Sequence, residues 1–151
     1  MRYVFAFVLF LFPLSVSAST CSPREPGFVV AHAEVAFVGV PTEVTQSDYN
    51  PRKICWEYSK SNPDCGGKLV KFDVQTILKG NVGNSVSVLV EDGCYCLGPY
   101  INLGEGYLVI AAPNSTEYAG EFVASNICWG TGEISNDHSQ KVLKEFRNGS
   151  E

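Results

Sequence analysis

The chain has 151 residues, of which 45% are hydrophobic, and its 11 Lys and Arg against 16 Asp and Glu give a formal net charge of −5. This length suffices for a single hydrophobic core. An acidic chain without a cluster of Lys or Arg is not expected to bind nucleic acid. The two histidines, His32 and His138, leave little from which to build a histidine-based metal or catalytic site.

The first predicted element is a secretory signal peptide over residues 1–18. Arg2 precedes the apolar run VFAFVLFLF, and Val16-Ser17-Ala18 offers the small residues at which a signal peptidase cuts. This run is too short to cross a membrane, and no later stretch reaches about 18 apolar residues, so we expect no membrane span. Cys21 also fits a lipoprotein signal, but Thr20 stands where such signals have Gly or Ala.

The mature chain is predicted to begin at Ser19 and to form one domain over residues 19–151. Removing Arg2 with the signal peptide leaves a net charge of −6. The expected compartment is the cell exterior or the periplasm, and the expected state is a monomer. A cut after Thr20 is the alternative, and it would make Cys21 the first residue.

Two helices are predicted near the ends of the mature chain, over residues 26–34 and 135–148. Pro26 can occupy the first turn of the first helix, and capping residues open the second. Both have apolar side chains at helical spacing, namely Phe28, Val29 and Ala33 in the first and Val142, Leu143 and Phe146 in the second. The second pattern predicts an amphipathic helix packed on the rest of the domain.

The strands predicted between these helices begin with residues 35–44, where Gly39 marks a bend or bulge. Residues 70–75 then alternate apolar with polar side chains, and residues 85–90 do so apart from Leu89, which is the period of strands with one buried face. The turn-rich residues 79–84 between them predict an antiparallel pair.

Two further strands complete the predicted sheet. The run YLVIAA at residues 107–112 is almost continuously apolar, which predicts a strand buried on both faces. Residues 121–127 form the fifth predicted strand. Five strands at this spacing are compatible with a barrel or with a sandwich.

All six cysteines lie beyond the predicted cleavage site, at Cys21, Cys55, Cys65, Cys94, Cys96 and Cys128. An even number in an exported chain predicts three disulfides. Cys55 and Cys65 flank a turn in a predicted hairpin extension over residues 46–67, so they can meet across it. Cys94 and Cys96 then pair with Cys21 and Cys128. In the alternative, Cys21 bonds to Cys128 and the hairpin cysteines pair with Cys94 and Cys96.

The sequence shows no nucleophile–base pair, carboxylate constellation or phosphate-binding loop, so we expect no enzyme activity, cofactor or metal of its own. His32-Ala33-Glu34 opens like the zinc deaminase signature, which continues with Pro-Cys-x-x-Cys, whereas this chain has Cys94-Tyr95-Cys96. We therefore expect His32 to be a surface histidine. Thiol redox chemistry at Cys94 and Cys96 is a further alternative, although reactive thiols usually occur as Cys-x-x-Cys.

Several short motifs follow one another along almost the whole mature chain. They are Cys21-Ser22-Pro23, AEVAFVG from Ala33, ILKG from Ile77, Cys96 followed by GEGYLV from Gly104, and Cys128. In this order they resemble the tissue inhibitors of metalloproteinases, in particular the bacterial-type members within the netrin-like group. The resemblance implies an OB-fold, a closed antiparallel barrel of five strands with a short N-terminal helix and a C-terminal helix, stapled by disulfides.

The resemblance also implies inhibition of a secreted zinc metalloprotease by the N-terminal segment. In that family, the amine and carbonyl of an N-terminal cysteine chelate the catalytic zinc of the protease. The corresponding inhibitory residues are Ser19, Thr20, Cys21 and Ser22, and Ser19 stands in the place of the chelating cysteine. The alternative function is a secreted, disulfide-stabilised binding or structural module without inhibitory activity.

Overall fold

The computed structural model describes residues 22–47, 67–91, 98–115 and 120–149. Its elements in chain order are α1 (Pro26–His32), β1 (Val35–Gln46), β2 (Gly67–Lys79), β3 (Ser85–Glu91), β4 (Tyr107–Pro113), β5 (Phe122–Ala124), a 3₁₀ turn (Ile127–Trp129), β6 (Gly132–Glu133) and α2 (Asp137–Asn148). The predicted signal peptide and most of the predicted hairpin extension lie outside the described residues. So do Ser19, Thr20, Cys21, Cys55, Cys65, Cys94 and Cys96.

Five strands close into an OB-like barrel in the order β1-β2-β3-β5-β4, with β4 pairing back onto β1. Four of these pairings are antiparallel, but β3 and β5 run parallel. The prediction of an antiparallel barrel is therefore wrong. Because five is odd, strands cannot alternate in direction all the way round a closed ring, and at least one neighbouring pair must be parallel.

Strand β1 takes part in the closure of the barrel because it pairs with two neighbours. Its residues 35–39 pair with β4, and most of its length pairs with β2. The register with β2 shifts between Val38 and Gly39, as at a β-bulge, which confirms the irregularity predicted at Gly39. A Cβ at Gly39 would lie 3.0 Å from the Asp73 carbonyl oxygen and 3.1 Å from the Phe37 ring, so the bulge brings backbone and ring close together.

Two apolar clusters lie on opposite faces of β1 and β4. One fills the barrel and includes Val35, Phe37, Val70, Phe72, Val86, Val88, Val90, Tyr107, Val109, Ala111 and Phe122. The other lies between the barrel and both helices and contains Val29, Ala33, Ala36, Leu108, Ile110, Val142, Leu143 and Phe146. Successive residues of β4 alternate between the two clusters, which confirms that its continuous apolar run is buried on both faces.

Both predicted helices are present. Helix α2 buries its three predicted apolar residues, whereas α1 ends at His32 and leaves Phe28 41% exposed. The Lys79 Nζ of β2 donates to the carbonyl oxygens of Val30 at 2.8 Å and Ala31 at 3.3 Å, and so satisfies the C-terminal end of α1. Within the described ranges, neither helix has the length and hydropathy needed to cross a membrane.

Candidate functional site

The candidate site is built around the 3₁₀ turn that interrupts the chain between β5 and β6. Both β5 and β6 pair with β4, at different positions along it. Between them, the buried Thr131 hydroxyl donates to the Ile110 carbonyl oxygen at 3.1 Å and accepts from the Ile110 N–H at 3.0 Å. This side chain therefore takes the place of a backbone partner for β4, and the residues before it form the separate turn.

The predicted fifth strand over residues 121–127 is thus too long, because regular pairing stops at Ala124. Local side chains explain the turn that follows. The Asn126 side chain accepts a hydrogen bond from the Cys128 N–H at 3.1 Å, an arrangement that competes with strand pairing. Gly130 has a φ of 91°, in the left-handed region that glycine adopts without a steric penalty.

The N-terminal segment lies against this turn. The Arg24 N–H donates to the Cys128 carbonyl oxygen at 2.8 Å, and the Arg24 guanidinium carbon lies 5.7 Å from the centroid of the Phe28 ring. The Phe28 ring also lies 5.6 Å, between centroids, from the Trp129 ring. These contacts hold the chain at Arg24, two residues after Ser22.

Ser22, the predicted inhibitory residue within the described ranges, is exposed. It lines a groove of about 600 Å³ together with Pro23, Arg24, Glu25, Asn126, Cys128 and Trp129. We call this the N-terminal groove. Since the segment is held at Arg24 and exposed at Ser22, the groove presents the start of the described chain to solvent.

Cys128 is the predicted disulfide residue that falls within the described ranges. Its side chain is only 7% exposed. The other five cysteines lie outside the described residues, so the pairing of the six stays a prediction. Cys128 nonetheless places its carbonyl oxygen at the centre of the site, where it accepts from Arg24 and lies 3.2 Å from the Nε2 of His138.

A second groove, of about 290 Å³, includes Ile127 of the same turn. It is lined by Pro99, Tyr100, Ile127, Gly132, Glu133, Ser135 and Asn136, and we call it the Tyr100 groove. Tyr100 is 64% exposed and Ile127 is 43% exposed. The sequence did not predict this groove. The sequence signal that could have indicated the groove is Tyr100 itself, an aromatic residue that belongs to no predicted strand or helix.

The loop that carries Tyr100 is held in place by the hydroxyl of Tyr107, whose side chain is fully buried. This hydroxyl accepts from the Asn102 N–H at 2.9 Å and lies 2.9 Å from the Tyr100 carbonyl oxygen, to which it donates. It is also 3.3 Å from the Oε1 of Glu133. Burial raises the pKa of Tyr107, the Asn102 bond partly offsets this, and the charge of Glu133 adds to the rise. The hydroxyl therefore stays protonated at neutral pH.

Within the described ranges, no group of three or more His, Cys, Asp and Glu side chains could hold a metal ion. His32 lies exposed on α1, as expected of a surface histidine, and its Nδ1 is 2.8 Å from the Phe28 carbonyl oxygen. The two grooves thus offer a partner protein a backbone that is fixed by hydrogen bonds, together with exposed side chains.

No protein-family model matches this chain, and no curated protein matches it.

Proposed function

We propose that the protein is a secreted inhibitor of zinc metalloproteases that places Ser19, Thr20, Cys21 and Ser22 in the cleft of the protease. The observation that supports this most is the hydrogen bond of 2.8 Å from the Arg24 N–H to the Cys128 carbonyl oxygen. It anchors the base of the segment, while Ser22 remains exposed. A segment anchored at its base loses less conformational freedom on binding, which favours affinity.

In this mechanism the first mature residue supplies its α-amino nitrogen and carbonyl oxygen to the catalytic zinc of the protease, in place of the attacking water. Both atoms belong to the backbone, so Ser19 can supply them although the inhibitors that the sequence resembles use cysteine there. The zinc belongs to the protease, and the inhibitor itself needs no cofactor. Disulfides from Cys94 and Cys96 to Cys21 and Cys128 would fix the segment further, with Cys55 bonded to Cys65.

A second candidate function is a secreted binding or structural module without inhibitory activity. Ser19 favours this function, because a serine lacks the disulfide that would fix the first residue against the barrel. The exposed side chains of Tyr100 and Ile127 also favour it, since they can contact a partner without any N-terminal amine. Both functions use the same region of the barrel surface.

An inhibition assay separates the two functions. The natively processed protein, a form with one extra alanine before its first residue, and a control form with one extra alanine after Glu151 are tested against a panel of secreted zinc proteases. We expect the native and control forms to inhibit equally. The N-terminal extension should lower potency by at least about 100-fold, because it displaces the amine and crowds the zinc.

Circular dichroism should show the same fold for all three forms. Equal potency of the N-terminally extended form would rule out chelation by the first residue. If the native form does not inhibit at micromolar concentration, the binding-module function replaces the inhibitory one.

A further inference from the structure

Glu133 lines the Tyr100 groove, and its hydrogen-bond partners among the described residues are all neutral. Its Oε1 accepts from the Asn102 Nδ2 at 3.0 Å and lies 3.3 Å from the Tyr107 hydroxyl, and its Oε2 accepts from the Ser135 Oγ at 3.3 Å. Among the residues that the structure describes, no Lys or Arg forms an ion pair with it. A nearby ion pair in the sequence joins Lys141 to Asp137 within α2, at 2.6 Å. Hydrogen bonds therefore orient the Glu133 carboxylate, while no cation of the described residues neutralises its charge.

The surroundings of the groove add negative charge. The negative charge of Glu105 adds slightly to the raised pKa of Tyr107, and Lys141 already forms an ion pair with Asp137. The N-terminal end of α2 contributes a positive dipole end. The Asn136 side chain already accepts a hydrogen bond from the His138 N–H at this end, at 2.9 Å. The chemical complement of the groove is a cation.

The walls of the groove suit a long basic side chain. Pro99, Tyr100 and Ile127 present apolar surface, on which the methylene groups of Lys or Arg pack while the charge reaches a polar group. The face of an aromatic ring such as that of Tyr100 also attracts a cation. A volume of about 290 Å³ lies at the lower end for small-molecule pockets, so it suits one side chain better than a larger ligand.

We infer that the Tyr100 groove receives one lysine or arginine side chain of the partner protein, with Glu133 as the acceptor of its charge. This inference rests on the proposed function in so far as the partner is a protein. Ile127 lines this groove, and Asn126, Cys128 and Trp129 line the N-terminal groove, so the two grooves adjoin along one turn. A protease held at the N-terminal groove would therefore present the basic residue from the surface next to its cleft.

A titration of the isotope-labelled mature protein with Nα-acetyl-lysine N-methylamide, followed by backbone NMR, tests the pocket directly. We expect saturable shifts confined to the signals of Tyr100, Ile127, Glu133 and their neighbours, with affinity in the millimolar range. The norleucine analogue, which has an apolar side chain and no ammonium group, should bind at least about fivefold more weakly. Equal shifts with both compounds would overturn the inference.

Two variants assign the binding to the proposed residues. Glu133→Gln keeps the size of the side chain and an acceptor oxygen but removes the charge. Tyr100→Ala removes a ring that is 64% exposed. Both variants should therefore fold. Each should weaken lysine binding at least about fivefold. The control Glu43→Gln removes an exposed carboxylate on β1 and should change nothing. Unchanged binding by Glu133→Gln would refute the pocket. Since no protease is present, failure here is distinct from failure of inhibition.

Discussion

At the scale of single residues, one buried hydroxyl connects the barrel to the loop beside the candidate site. Tyr107 belongs to the barrel core, yet its hydroxyl bonds to the backbone of Asn102 and Tyr100 and lies near Glu133. Its ring also meets the Phe72 ring edge to face, at 6.3 Å between centroids. The same side chain therefore packs the core and positions the Tyr100 groove.

We expect Tyr107→Phe to lower the free energy of unfolding by about 1–3 kcal/mol, because the ring remains while the Asn102 N–H and the Tyr100 carbonyl lose a buried partner. Urea unfolding measures this change. The matched control Tyr100→Phe removes a hydroxyl from an exposed ring and should change stability by less than about 0.5 kcal/mol. Equal effects of the two substitutions would show that the buried hydroxyl contributes no specific stability.

The raised pKa of Tyr107 predicts a pH dependence of stability. In the unfolded chain the hydroxyl titrates near pH 10, whereas the folded protein holds its proton to higher pH. Its contribution to stability is thus fully present below about pH 10 and is lost as the pH rises through the folded pKa. The native protein should lose stability more steeply than Tyr107→Phe above about pH 10. Parallel stability curves for the two proteins would contradict this.

At the scale of secondary-structure elements, the site depends on the interruption between β5 and β6. β5 has three residues and β6 has two, and both lie along β4. The Thr131 hydroxyl completes the pairing of β4 at Ile110, so the turn can form without leaving the Ile110 N–H unpaired. The candidate site is therefore carried by a 3₁₀ turn that leaves the sheet between β5 and β6.

We expect Thr131→Val, which keeps the shape of the side chain, to cost about 1–3 kcal/mol of unfolding free energy, because it leaves the Ile110 N–H buried and unpaired. Urea unfolding should show the loss, and hydrogen exchange at the Ile110 amide should become faster. The control Thr45→Val removes a hydroxyl bond to Leu69 at an exposed site, where water can substitute, and should cost less than about 0.5 kcal/mol. An unchanged exchange rate at the Ile110 amide would show that the Thr131 hydroxyl is not the hydrogen-bond partner that protects it.

At the scale of the whole molecule, the two apolar clusters make the barrel and the helices depend on each other. The strands β1 and β4 contribute side chains to both clusters, so α1 and α2 cover what would otherwise be an exposed apolar face of the barrel. The N-terminal segment enters directly before α1. The position of the N-terminal segment therefore depends on the apolar cluster between the barrel and the helices, as well as on the hydrogen bond from Arg24 to Cys128.

The mature protein is predicted to carry three disulfides, since all six cysteines follow the predicted export signal. Its intact mass should lie below that of the fully reduced protein by about six hydrogens, two for each bond formed. Alkylation before reduction should add no mass, whereas alkylation after reduction should label all six positions. Any label gained before reduction would refute the prediction.

The sequence by itself determined the features that depend on neighbouring side chains. The continuous run of β4, the periodic apolar positions of α2 and the irregularity at Gly39 were all predicted correctly, because each follows from local periodicity or from a residue with unusual steric freedom. The number of strands was compatible with a barrel or a sandwich, and the resemblance favoured the barrel. Ser22 and Cys128 were the predicted site residues within the described ranges, and they line one groove.

Only the tertiary structure decided the parallel pairing of β3 with β5, the short β5, and the meeting of Tyr100, Ile127 and Glu133. The parallel pair follows from closure of an odd ring, which no single strand reveals. The Tyr100 groove brings the hydroxyl of Tyr107 to 3.3 Å from the Oε1 of Glu133, although these residues are 26 positions apart in the chain. Contacts at such separation form when the barrel closes, and a local pattern of side chains does not encode them.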